Sequence, residues 1–257
     1  MSVVLTPFWL ALQFLTRLPT PALDPQPADL GRSVLAYPLV GLILGLLVVL
    51  VGIALAAIPG TPPLLVAALV LALWVGLTGA LHLDGLADTA DAWLGGHGDR
   101  ERTLAIMKDP TCGPAGVVVL VLALLAKVAA VAVLLEVQHG WIGLLSAPLL
   151  GRAACALLFP VLPYVRPGGL GESGARHLAG SALAVTAGGS AVVTLALGGW
   201  AGVVMLVTAM AVFALGVRLM RRVLGGFTGD TAGALLEAVE TAVLVAAVMV
   251  LAGAGGG

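Results

Sequence analysis

The sequence predicts an all-α, polytopic integral membrane protein, and three observations carry that prediction. Of its 257 residues, 60% are hydrophobic and only 10% are charged, whereas soluble domains carry about 25% charged residues. Apolar runs near the roughly 20 residues that cross a bilayer recur along the chain. Lys and Arg are confined to alternate connections between these runs. The runs are 34–58, 64–81, 114–135, 141–162, 181–198, 200–217 and 235–252.

We therefore predict about seven transmembrane helices, with six to eight compatible with the pattern, in one transmembrane domain over residues 1–257. Residues 3–16 are also apolar but too short for a span. They have no basic residue ahead of them, and they end at Arg17 and Pro19. We interpret them as an interfacial or re-entrant helix and not as a cleaved signal peptide.

The distribution of charge predicts the topology. Connections 59–63, 136–140 and 199 contain no Lys or Arg, while the N-terminal segment and connections 82–113, 163–180 and 218–234 contain ten. Because basic loops stay cytoplasmic, the N-terminus should be cytoplasmic and the C-terminus outside. The ten basic residues are Arg17, Arg32, Arg100, Arg102, Lys108, Arg166, Arg176, Arg218, Arg221 and Arg222.

The net charge of the chain is −1, which argues against nucleic acid as a partner.

The segment LHLDGLADTADA at 81–92 predicts a metal site on the cytoplasmic side. Asp84, Asp88 and Asp91 fall within about 60° of one another on a helix that extends the 64–81 run. Such an oxygen cluster suits Mg²⁺; a solvated acidic helix face is the alternative. His82 lies one turn away as a candidate ligand or proton carrier, although an interfacial structural histidine is the commoner case.

The segment GGFTGDTAGALLEAVE at 225–240 predicts a second acidic site. Its glycines, among them Gly226, allow backbone N–H groups to approach a phosphate, so Gly226 and Thr228 are candidates for binding substrate. Asp230 and Glu237 share a helical face, with Glu240 about 80° away. The alternative is that Thr228 and Asp230 cap the last helix.

Two sets of cations are candidates for binding an anionic substrate. In the segment 99–116, Arg100, Arg102 and Lys108 are able to clamp a diphosphate; simple topogenic charge is the alternative.

The second set is Lys127 and Arg152, which fall near mid-membrane, where charges are costly and usually functional or paired. No acid shares their depth in the seven runs, so we predict a water-filled cavity, lined by both and open to the acids. Substrate, or carboxylates from the Asp84 and Glu237 helices, would supply the counter-charge, and snorkelling is the alternative.

These segments together resemble the cobalamin synthase (adenosylcobinamide-GDP ribazoletransferase) family, nearly end to end. HLDGLADTADA and GGFTGDTAGA are specific as a pair at this separation between hydrophobic spans. The segments that carry the resemblance are LQFLTRLPTP at 12–21, YPLVGLILG at 37–45, HLDGLADTADA at 82–92, LAIMKDPTCGPAG at 104–116, LAK at 125–127, GR at 151–152 and GGFTGDTAGALLE at 225–237.

The resemblance implies an enzyme of the bacterial cytoplasmic (inner) membrane with a cytoplasmic active face. It implies transfer of the adenosylcobinamide phosphoryl group from adenosylcobinamide-GDP to the 5′-hydroxyl of α-ribazole or its 5′-phosphate, with Mg²⁺ and release of GMP. On that basis Asp84, Asp88 and Asp91 hold Mg²⁺, and Asp230 or Glu237 holds a second ion or takes the acceptor proton. The rivals are a CDP-alcohol phosphatidyltransferase-type enzyme, disfavoured because Asp88 and not Arg follows Ala87, and a transporter.

Overall fold

The structure is a computed structural model that describes residues 5–166, 172 and 180–254. Within these ranges the chain forms α-helices and one short 3₁₀ turn, with no β-strand, which confirms the all-α prediction. The helices are α1 (Thr6–Leu15), α2 (Pro27–Ser33), α3 (Tyr37–Ala56), α4 (Pro63–Thr78), α5 (Leu81–Gly95), α6 (Arg100–Ile106), α7 (Pro114–Glu136), α8 (Trp141–Val161), α9 (Gly180–Val223) and α10 (Gly229–Ala254).

The N-terminal arm is too short to cross a membrane. Helix α1 has 10 residues, about half the length that a span requires, and the predicted positions 3–4 lie outside the described residues. The helix ends where the Thr16 hydroxyl donates to the Leu12 carbonyl at 2.7 Å. The backbone N–H of Arg17 then donates to the Leu77 carbonyl at 2.7 Å. This bond ties the arm to the end of α4.

Helix α8 is the centre of the bundle, buried on almost every side. It packs most extensively on α3, where small residues allow the two backbones to approach closely. A Cβ atom placed on Gly45 would lie 2.8 Å from the Leu145 carbonyl oxygen. Helices α9 and α10 cover the other sides of α8.

Helices α4 and α5 meet at a bend of 87°. Gly79 and Ala80 both adopt left-handed backbone conformations, with φ of 61° and 57°, and a left-handed residue after the last turn ends a helix. The expectation that the acidic segment extends the 64–81 helix is therefore wrong. The bend instead lays α5 against α10 and α7, which brings its carboxylates to the start of α10.

Helix α9 folds back on itself at Gly199, where φ is 50° and ψ is −123°. A Cβ atom on Gly202 would lie 3.1 Å from the Cα of Leu195, a separation that a straight helix does not allow for residues seven apart. The reversal divides α9 into two arms that match the predicted runs 181–198 and 200–217. Glycine suits this position because the conformation is strained for other residues.

Five helices of the described ranges are long and apolar enough to cross a membrane, or six when the bent pair α4–α5 counts as one span. Counting the two arms of α9 separately gives the seven apolar segments of the sequence prediction. One boundary differs in a way that matters for the site. Helix α10 begins at Gly229, six residues before the predicted 235, so Glu237 and Glu240 lie well inside it.

The two native cysteines allow a test of the predicted topology, because Cys112 is exposed and Cys155 is buried. We expect a membrane-impermeant maleimide to leave intact cells unlabelled and to label permeabilised cells once, at Cys112. Desolvation and the nearby Asp91 carboxylate raise the pKa of the Cys112 thiol, so its labelling rate should keep rising with pH as the thiolate forms. Cys112→Ser should abolish the label and Cys155→Ser should retain it. Labelling of Cys112 from outside intact cells contradicts the topology.

Candidate active site

The site is built where α5 meets the start of α10. A Cβ atom on Gly85 would lie 2.7 Å from the carbonyl oxygen of Asp230, and one on Gly233 would lie 3.2 Å from the Cα of His82. Glycine on both helices therefore brings the two backbones into direct contact. This approach unites the two acidic segments that the sequence singles out separately.

The three carboxylates of α5 differ in their surroundings. Asp84 is exposed, and Asp88, one turn further on, is half-buried. Asp91 accepts hydrogen bonds from the backbone N–H groups of Gly113 at 2.7 Å and Gly116 at 2.9 Å. Asp91 thus holds the first turn of α7, where a negative charge is favourable. We retain Asp84 and Asp88 as the carboxylates available to a ligand.

The loop before α10 is fixed by backbone contacts. A Cβ atom on Gly226 would collide with the carbonyl oxygen of Pro163. The N–H of Phe227 donates to that same carbonyl at 2.9 Å, and the N–H of Val165 donates to the Phe227 carbonyl at 3.0 Å. Gly226 is therefore required for close contact with the segment after α8. A phosphate contact at Gly226 stays a prediction.

The Thr228 side chain caps α10, which confirms the capping alternative for this residue. Its hydroxyl accepts from the N–H of Thr231 at 3.2 Å, and the Thr231 hydroxyl in turn accepts from the N–H of Thr228 at 2.9 Å. This reciprocal pair satisfies two backbone donors at the helix start. Thr228 is fully buried, and its assignment to substrate stays a prediction.

Arg166 also borders the site, although the sequence pattern indicates only a topogenic charge at this position. Its guanidinium donates to Oδ2 of Asp230 at 2.9 Å. The two side chains are 36% and 18% exposed, so the pair remains open to solvent and ligand. The signal available in the sequence is its place in the short segment PYVR at 163–166, directly after a span.

A cavity of about 750 Å³ lies beside the acids, between α1, α3, α5, α8 and the start of α10. Asp84, Asp230, Arg166 and His82 supply polar groups to its lining, and most of the remaining wall is apolar or aromatic. A second, more open depression of about 700 Å³ lies along α9, beside Arg218, Arg221 and Arg222. Because no carboxylate of the described residues lines that depression, we place the candidate active site at the first cavity.

His82 is buried, with its Nδ1 atom lacking a hydrogen-bond partner among the described residues. A buried nitrogen without a partner is costly, and His82 lines the cavity that the acids border. These observations are compatible with contact to a ligand. Its catalytic role stays a prediction.

The carboxylates fit a magnesium ion that is completed by substrate. Among the described residues, no three His, Cys, Asp or Glu side chains are grouped closely enough to hold a metal ion by themselves. Mg²⁺ commonly takes only one or two protein carboxylates and fills its shell with water and substrate phosphate oxygens. Asp84 and Asp88, one turn apart on α5, provide such a pair.

The basic segment 100–108 lies along the same side of the bundle. Nε of Arg100 donates to the Leu224 carbonyl at 2.8 Å, which attaches α6 to the end of α9. Arg102 and Lys108 are exposed. Their role as a diphosphate clamp stays a prediction, and Arg176, predicted on the same face, lies outside the described residues.

The two intramembrane cations occupy a closed charge network, which corrects the prediction of a water-filled cavity. Nζ of Lys127 lies 2.5 Å from Oε2 of Glu237 and 2.6 Å from Oε2 of Glu240. Arg152 donates to the other oxygen of Glu240. All four side chains are at least 93% buried, and neither cation lines the cavity beside the acids.

The physical reason is the early start of α10, which carries Glu237 and Glu240 to the depth of the cations. The expectation that no acid shares that depth is therefore wrong. Glycine makes room for the network, since a Cβ atom on Gly41 would lie 2.9 Å from Cδ of Arg152. Trp74 adds a cation–π contact, with Nζ of Lys127 5.0 Å from its ring centroid. We interpret the network as joining α7, α8 and α10, and Glu237 as one of its members.

Comparison with known proteins identifies relatives along almost the whole chain. A family model described as cobalamin-5-phosphate synthase matches residues 7–248. Adenosylcobinamide-GDP ribazoletransferase of Pseudomonas savastanoi pv. phaseolicola is 57% identical, over 93% of this chain and 97% of the relative. Proteins of the same name are 55% identical in Pseudomonas fluorescens, with the same coverage, and 57% identical in Pseudomonas aeruginosa, over 92% of this chain and 95% of the relative. No solved structure matches the chain.

Proposed function

Because this chain belongs to the cobalamin-5-phosphate synthase family, we propose that it is an adenosylcobinamide-GDP ribazoletransferase. The reaction joins adenosylcobinamide-GDP to α-ribazole or α-ribazole 5′-phosphate and releases GMP. The close contact of Gly85 with Asp230 is the observation that supports locating this activity at the cavity. It places the two family-specific acidic segments side by side at one cavity.

The family description leads us to revise the acceptor oxygen. A cobalamin-5-phosphate synthase gives a product that keeps a phosphate at the 5-position, so that position is already occupied when the acceptor is α-ribazole 5′-phosphate. We therefore propose that a secondary ribose hydroxyl, and not the 5′-hydroxyl, attacks. Its oxygen bonds to the phosphorus that carries cobinamide, and the bond from this phosphorus to the bridging oxygen of the diphosphate breaks. GMP leaves with that bridging oxygen.

In this proposal Asp230 receives the proton of the attacking hydroxyl. Its carboxylate borders the cavity, is 18% exposed, and accepts from Arg166 through Oδ2 at 2.9 Å, so the acceptor hydroxyl is able to approach it. A general base must lie within hydrogen-bond reach of the proton that it removes. Glu237 is less suited to this role because its carboxylate is buried against Lys127.

We propose that Asp84 and Asp88 hold Mg²⁺. When bound, the ion would neutralise charge on the diphosphate oxygens of the donor. The two carboxylates come from adjacent turns of a helix that packs directly on α10, so their position relative to Asp230 is fixed by the fold. Arg102 and Lys108 are exposed on the same side of the bundle and would contact the outer part of the donor diphosphate.

We also propose that the protein lies in the bacterial cytoplasmic membrane with its active face in the cytoplasm. Support comes from the apolar helices, from the confinement of basic residues to one set of connections, and from relatives in Pseudomonas. The family match over 7–248 disfavours a CDP-alcohol phosphatidyltransferase. The pairing of Lys127 and Arg152 with glutamates removes the observation that suggested a transporter.

The test is a turnover assay with the purified protein in lipid nanodiscs. Incubation with adenosylcobinamide-GDP, α-ribazole and Mg²⁺ should release GMP and form adenosylcobalamin in equal amounts. With α-ribazole 5′-phosphate the corrinoid product should retain the 5′-phosphate, which mass spectrometry and phosphatase treatment will detect. Loss of GMP release after chelation with EDTA, restored by added Mg²⁺, supports the metal. Absence of GMP release in the complete mixture contradicts the proposed function.

A further inference from the structure

The cavity beside Asp84 and Asp230 gathers most of the Phe and Tyr residues of the chain. The whole sequence contains only five Phe and two Tyr. Three of the Phe residues and both Tyr residues line this cavity, and they come from five separate segments of the chain. They are Phe14, Tyr37, Phe159, Tyr164 and Phe227.

The five rings form two groups. Phe14 of α1 and Tyr37 of α3 are stacked, with centroids 6.2 Å apart and planes inclined by 25°. Phe227 contacts Phe159 and Tyr164 edge-on, at centroid distances of 5.2 Å and 5.3 Å. Rings that converge from separate segments of the chain on one open space provide faces and edges for a planar ligand.

The lining of the cavity combines charged and aromatic side chains. Asp84, Asp230 and Arg166 supply its charged groups, whereas the five rings supply apolar faces, with hydroxyl groups only on the two tyrosines. Its volume of about 750 Å³ is in the range of pockets for drug-sized ligands. A nucleoside whose base is flat, fused and methylated fits this polarity, as the dimethylbenzimidazole of ribazole does. Guanine fits less well because its edge has several donors and acceptors to satisfy, and the corrin of the donor is much larger.

We infer that this cavity binds the aromatic base of the acceptor nucleoside, with its ribose directed toward Asp84 and Asp230. The inference rests on the proposed function and adds the side of the site from which each of the two substrates binds. The acceptor binds within the helical bundle against α1, α3 and α8. The donor, with its diphosphate and corrin, then approaches from the exposed side of Asp84.

Equilibrium dialysis of α-ribazole against the purified protein in nanodiscs, without donor, tests the inference. Phe14→Leu and Phe159→Leu should each raise the Kd about tenfold, the usual scale for losing one ring from an aromatic–base contact. Phe14 is 41% exposed, so its replacement should leave the fold intact. Phe8→Leu is the matched control, since Phe8 lies on the same helix, contacts Trp9 at a centroid distance of 5.2 Å and does not line the cavity. It should leave the Kd unchanged.

Dialysis of GDP, the nucleotide part of the donor, against the same variants distinguishes binding of the donor's guanine from binding of the acceptor's base. Weaker GDP binding with unchanged α-ribazole binding would assign the cavity to the donor base and overturn the inference. An unchanged Kd in both cavity variants, or an equal increase in Phe8→Leu, also overturns it. Because dialysis does not require turnover, a wild-type protein that binds α-ribazole but releases no GMP contradicts only the proposed function. A wild-type protein that releases GMP while both cavity variants bind normally contradicts only the inference.

Discussion

Replacing Arg152 by methionine should destabilise the protein by about 3–5 kcal/mol, the cost of removing one partner from a buried ion pair. The four charges of the network sum to zero, with Lys127 and Arg152 opposite Glu237 and Glu240. Without Arg152, two buried carboxylates share one ammonium group. Thermal unfolding in nanodiscs, followed by tryptophan fluorescence, should show a lowered transition temperature, with reduced membrane abundance in cells.

The double variant Arg152→Met/Glu240→Gln separates charge balance from packing. It leaves Lys127 and Glu237, whose Nζ and Oε2 atoms are 2.5 Å apart, as a neutral pair. We expect it to be more stable than Arg152→Met alone, because the unpaired carboxylate is gone. Arg222→Met is the control, since Arg222 is exposed and its loss should change little. A double variant no more stable than the single variant contradicts the electrostatic interpretation.

Replacing Asp84 by asparagine should lower turnover by roughly 100- to 1,000-fold, the scale for losing a group that stabilises transition-state charge. The protein should still insert and unfold normally, because Asp84 is exposed. Part of the activity should return at high Mg²⁺ or with Mn²⁺, since asparagine keeps one oxygen ligand. Mn²⁺ binding followed by electron paramagnetic resonance should be weaker in the variant, which gives a readout independent of turnover.

Variants of two further aspartates show whether the loss of activity is specific to Asp84. Asp24→Asn, at an exposed position outside the site, should retain full activity. Asp91→Asn should lower thermal stability as well as activity, because the carboxylate bonds the N–H groups of Gly113 and Gly116. If Asp84→Asn turns over at the wild-type rate with unaltered Mn²⁺ binding, the metal lies elsewhere.

The sequence by itself determined the helical class, the approximate spans and the identity of the two acidic segments. These properties are local: a run of apolar residues is long enough to cross a bilayer whatever it packs against. The capping option at Thr228 was also visible, because it depends only on residues three apart. The segments HLDGLADTADA and GGFTGDTAGA likewise carried the family, which the relatives confirm.

The sequence named the Glu237 helix as one source of counter-charge for the two cations, but only the tertiary structure decided which charges meet. Lys127 and Arg152 were expected to lack an acid at their depth. Helix α10 begins at Gly229, however, so Glu237 lies about 12 Å along the helix axis from its first residue. The bend at Gly79 and Ala80 likewise turns α5 onto α10. Sequence patterns record the face of a helix on which a residue lies. The depth at which it meets another helix depends on where each helix begins and bends, and in a low-dielectric interior that depth decides which charges pair.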